Sequence, residues 1–119
     1  MMHERRSEPF RYTFQSPLPG FYNKKWNRQV SGPLEVNDIS LNGLRFTSAL
    51  HPDLMMKDEL LVTMMIQNRT FIAEGRVIWL QKEEKKMSCG VHVFDYPEPL
   101  KQIIHTLGES MSEAIIHHP

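Results

Sequence analysis

The chain has 119 residues, 40% hydrophobic and 24% charged, and its 14 Lys and Arg are balanced by 14 Asp and Glu. This balance suits one globular domain with a packed core and excludes wholesale disorder. It also excludes a membrane-spanning helix, which needs about 18 consecutive apolar residues. A lone cysteine, Cys89, cannot close an internal disulfide, and Met1-Met2-His3-Glu4 leads into no apolar signal region, so the expectation is a cytoplasmic protein.

Residues 1 to 11 read as a flexible arm bearing Arg5, Arg6 and Arg11, and residues 12 to 119 as a single domain. Phe10, Tyr12 and Phe14 alternate with polar residues, the period of a half-buried strand. Pro17-Leu18-Pro19-Gly20 then kinks or interrupts a long first strand that resumes over Phe21 to Trp26. A polar loop is expected from Asn27 to Ser31, a second strand from Pro33 to Ile39, a tight turn, and a third strand from Leu44 to Thr47. After a loop around His51-Pro52-Asp53, Glu59 to Ile66 is almost continuously apolar and predicts a strand covered on both faces or curled into a barrel.

Gln67-Asn68-Arg69 is a hairpin signal before a strand over Thr70 to Gln81, in which Phe71, Ala73, Val77 and Trp79 share one parity and Gly75 marks a bend or bulge. Met87, Cys89, Val91 and Val93 line one face of the last strand. Six short strands joined by hairpins predict a small antiparallel β-barrel, which closes its own edges. From about residue 97 the period changes to that of a helix. Asp95 and Glu98 are spaced as a capping box, and Leu100, Ile103, Ile104, Leu107, Met111 and Ile115 form one apolar face able to dock on the barrel or across a homodimer. Gly108 in that helix signals a close contact or an early end.

Two pieces of sequence carry chemistry. Asp38-Ile39-Ser40-Leu41-Asn42-Gly43 joins two strands through a turn rich in hydrogen-bonding groups, and its glycine permits φ > 0 or a close approach of backbone. The second piece is the arginine cluster. Residues 1 to 30 hold six Lys or Arg against two Glu, which draws an anionic ligand to this end. The six histidines are scattered without metal-site spacing, so no metal and no cofactor are expected. Cys89 lies in an apolar strand and reads as a buried small side chain. With no phosphate-binding loop, nucleophile elbow or paired carboxylates, the reading is a binding protein and not an enzyme.

Asp38-x-Ser40-x-x-Gly43 downstream of clustered arginines resembles the PilZ domain family, bacterial receptors for cyclic di-GMP whose pattern is Arg-x-x-x-Arg followed by Asp or Asn-x-Ser-x-x-Gly. The resemblance extends to the strand order and to the late strand Gly90-Val91-His92-Val93-Phe94, and implies a split-barrel fold of six strands with a C-terminal helix. It implies a ligand site of Arg5, Arg6, Arg11, Asp38, Ser40 and Gly43, and an adaptor that signals to a downstream protein in motility, exopolysaccharide or virulence control. Arginine suits such a ligand because its fork pairs with guanine O6 and N7 and stays charged. Arg6 and Arg11 are one residue further apart than the family's pair. Residues five apart face oppositely in extended chain, whereas Arg5 and Arg11 share a face; a bulge at Arg6 or substitution by Arg5 both remain open. Two other readings stand beside this one: an adaptor of the same fold that has lost nucleotide binding, and a barrel that binds nucleic acid through residues 1 to 30, Phe21, Tyr22 and Trp26, against which the zero net charge weighs.

Overall fold

The computed structural model describes residues 10–117, with side chains as far as Glu109. Six strands, β1 (Tyr12–Lys24), β2 (Asn27–Ser40), β3 (Gly43–Ala49), β4 (Glu59–Ile66), β5 (Arg69–Lys82) and β6 (Lys86–Asp95), precede α1 (Glu98–His117). Every pairing is antiparallel, and the order β1-β2-β3-β6-β5-β4 closes on itself as a barrel. Closure pairs β4 on both sides, with β1 over Leu60–Met64 and with β5 along its length, which explains why so apolar a segment is tolerated. Leu60, Val62, Met64 and Ile66 of β4 are buried in the interior, while Leu61, Thr63 and Met65 face outward.

Chain order is as the alternation predicts, with local differences. β1 runs unbroken through Pro17 and Pro19: Pro17 falls within a register shift between Thr13 and Leu18, and Pro19 stays in register opposite Glu35. The expected loop at Asn27–Ser31 is strand instead. The turn is only Lys25–Trp26, and Val30 supplies the one strongly buried side chain in an otherwise polar start to β2. Gln67 and Asn68 both take positive φ, 54° and 61°, so β4 and β5 meet in a two-residue turn whose twist matches the strands.

Two bulges decide which side chains point where. In β2, Val36 pairs with Phe46 and Asp38 with Arg45, which leaves Asn37 as an extra residue. Parity therefore switches: Val36 and Ile39 both point inward, and Asp38 is turned out. In β5, Val77 pairs with Val91 and Trp79 with Gly90, so Ile78 is extra. Trp79 consequently leaves the inward row of Phe71, Ala73 and Val77 to which simple alternation assigned it, and lies on the outer face.

The core is continuous, from Tyr22 stacked on Phe46 through Cys89 and Met87 to the helix. Burial pushes the Cys89 thiol up to about 12 and also raises Tyr22. Leu100, Ile103 and Ile104 of α1 are buried, each contributing about 2 kcal/mol relative to exposure. The capping box does not form. Pro97 holds the cap position, its carbonyl accepting from the amides of Leu100 and Lys101, while the Asp95 carboxylate pairs with Lys101 at 2.9 Å and raises that lysine's pKa. Gly108 does make a close contact: a Cβ there would lie 2.6 Å from the ring of Phe10, so the segment preceding β1 rests on the helix. No described helix is long and apolar enough to cross a membrane.

Candidate functional site

The outward Asp38 and Trp79 belong to one cross-strand row. Register pairs Thr13 with Asp38, Asp38 with Arg45, Arg45 with Gly90 and Gly90 with Trp79, so the row crosses β1, β2, β3, β6 and β5. Residues so paired stand side by side on one face. Gly90 is the gap in the row, and a Cβ there would collide with the Trp79 indole, which lies across the vacant position. The row therefore presents a carboxylate, a guanidinium and an indole in sequence, and both bulges are needed to build it.

Asp38 is only 4% exposed, yet it is fully paired. Arg11 Nη1 donates to its Oδ1 at 2.6 Å, and Arg45 Nε donates to its Oδ2 at 2.8 Å. The arginines are much more open, with side chains 45% and 38% exposed. A buried carboxylate shared by two cations leaves one positive charge in excess, and that excess faces solvent. Together with Asn42, Gly43, Leu44, Ile78, Val91 and His92, these residues line a cleft of about 400 Å³.

The turn behind the cleft is held by Ser40 and Gly43. The Ser40 hydroxyl is buried; it accepts from the Asn42 amide at 3.3 Å and lies 3.4 Å from the Gly43 carbonyl, to which it donates. The same carbonyl accepts from Tyr96 Oη at 2.8 Å, and the Asn42 carbonyl accepts from the Val93 amide at 3.0 Å. Gly43 does not use a left-handed conformation, since no described glycine has positive φ. Its requirement is space, because a Cβ would stand 2.5 Å from the Val91 carbonyl oxygen.

Of the six residues singled out in the sequence, Arg11, Asp38 and Gly43 meet at the cleft, and Ser40 braces the turn from within. Arg5 and Arg6 lie outside the described residues. Sequence reasoning missed Arg45, Trp79, Gly90 and His92. Arg45 had a usable signal: Leu44 and Phe46 point inward, so Arg45 between them faces out beside the motif.

A scan against protein families matches the PilZ domain over residues 4–108. The chain belongs to the PilZ domain family. Among solved structures this PilZ barrel is similar to the PilZ domain with cyclic di-GMP of YcgR from Escherichia coli, with a TM-score of 0.66 and 15% identity over 91% of this chain and 95% of that one. It is likewise similar to MrkH of K. pneumonia in its apo state, with a TM-score of 0.66 and 12% identity over 87% of this chain. The match covers 52% of MrkH, so this PilZ chain spans about half of that protein. A search of the curated proteins found no match. At these identities the likeness establishes the closed barrel with its C-terminal helix, and the chemistry rests on the cleft itself.

Proposed function

We propose that this PilZ domain is a bacterial, cytoplasmic receptor for cyclic di-GMP that signals to a downstream protein. PilZ domains are receptors and not enzymes. The observation that carries the reading is the cleft at Asp38, where a buried carboxylate holds two solvent-facing arginines beside an indole. Cyclic di-GMP is a dianion with two flat bases. Its phosphates favour the excess positive charge, its guanines offer O6 and N7 to an arginine fork, and an indole face can stack on a base. In this proposal Arg11 and either Arg5 or Arg6 grip the ligand, Asp38 orients the cleft, and Ser40 and Gly43 keep its turn in shape.

Binding then draws the segment before Phe10 onto the barrel, where Phe10 and Arg11 already rest, and changes the surface offered to a partner in motility, exopolysaccharide or virulence control. Calorimetry of Arg5→Ala, Arg6→Ala and Arg11→Ala separates the arginines. We expect Arg11→Ala and one of the other two to lose binding, and three variants that bind like the parent would overturn the assignment. Hydrogen exchange tests the second step, with ligand predicted to protect amides in residues 1–11. Unchanged exchange there at saturation would refute it.

A further inference from the structure

Arg45 meets Asp38 through its Nε alone. A guanidinium carries five N–H donors, so four remain on its two terminal nitrogens, and among the described residues nothing accepts from them. The side chain lines the cleft in the row between Asp38 and the glycine gap over which the Trp79 indole lies. An arginine gripped at Nε cannot swing freely, and its free fork points away from the atom that holds it.

We propose that Arg45 is the guanine-reading residue of the cleft. Asp38 fixes the guanidinium at Nε, the terminal nitrogens donate to O6 and N7 of one guanine, and the indole of Trp79 bounds the base from the side. This rests on the cyclic di-GMP reading above and adds a residue to it: Arg45 on rigid β3 reads a base, beside Arg11 on the same carboxylate. A fixed planar fork suits a planar pair of acceptors, whereas a phosphate accepts donors from many directions. Adenine presents an amino donor where guanine has O6, so the same fork rejects it.

The test uses the full chain, its Arg45→Ala and Arg45→Lys variants, cyclic di-GMP in calorimetry, and cyclic di-AMP as competitor. Side chain 45 is partly open and Asp38 keeps its bond to Arg11 in both variants, so both fold, which matching thermal melts verify. The proposal expects both variants to bind cyclic di-GMP about tenfold or more weakly, because lysine restores the charge and not the fork. It also expects cyclic di-AMP to compete relatively better against the variants than against the parent chain. Binding by Arg45→Lys equal to the parent would mean that charge alone matters and would overturn the base-reading role, as would unaltered binding by Arg45→Ala. Weakened binding with unchanged competition by cyclic di-AMP would also overturn it, leaving Arg45 as a support for Asp38. Should the parent chain itself fail to bind, the receptor reading falls and this inference with it, an outcome distinct from the others because it precedes any variant.

Discussion

Asp38 is buried while both of its partners are open to water, and this asymmetry predicts a specific pattern of stability loss. Arg11→Ala frees one carboxylate oxygen but leaves the other held by Arg45, so its cost is that of one exposed ion pair, about 0.5 kcal/mol. Arg45→Ala is equivalent, with Arg11 remaining. The double variant strands a buried carboxylate without a cation, and breaking a buried pair in that way costs about 3 kcal/mol. Water entering where the two stems were removed lowers that figure, so the expected coupling between the sites is about 1 to 2 kcal/mol. Urea unfolding of the four proteins closes the cycle, with equal m-values as the sign that the unfolding reaction is unchanged. Losses that add to within about 0.5 kcal/mol would refute the claim that the two arginines share one buried charge.

Other expectations follow from close contacts and from the thiol. Gly108→Ala gains about 1 kcal/mol of helix propensity and loses the seat of the Phe10 ring; it should stabilise only in a Phe10→Ala background, and equal stabilisation in both backgrounds would remove the contact from the account. Gly90→Ala should displace the Trp79 indole and cost about 1 to 3 kcal/mol by overpacking, read in a Trp26→Phe background by a fluorescence shift; unshifted emission would place the indole elsewhere. Cys89 keeps its proton in the folded chain up to about 12, against an ordinary value of 9.0, so its contribution to stability is complete below pH 9 and disappears as pH rises towards 12. Removing the thiol by Cys89→Ala should flatten stability across that alkaline window, and an unaltered profile would contradict the assignment.

The strands, the closing helix and the contiguous half of the site were legible because each depends on neighbours in sequence. The almost continuous apolar run of β4, the alternation in β6, the hairpin residues Gln67-Asn68 and the helical spacing of Leu100, Ile103 and Ile104 are all local signals. Trp79 departs from the alternation for the opposite reason. Its facing depends on the extra residue at Ile78, and the pairing of β5 with β6 is not contained in either strand alone. Asn37 does the same for Asp38, turning a carboxylate out of the core that uninterrupted alternation would have turned in. The polar start of β2 reads as a loop because Asn27, Arg28 and Gln29 carry no inward apolar group; the strand shows only in the hairpin with β1, where Asn27 pairs with Lys24 and Ser31 with Asn23. The cleft was thus half visible: its motif lies along the chain, and its floor of Arg45, Gly90 and Trp79 exists only across strands.

Calorimetric titration of the full chain with cyclic di-GMP, with GTP as competitor and Arg11→Ala as control, tests the central claim most directly. The account predicts saturable binding that GTP does not displace and that Arg11→Ala abolishes. Heats no different from dilution, from a chain that still melts cooperatively, would contradict it and leave a PilZ barrel that works as a protein adaptor without the nucleotide.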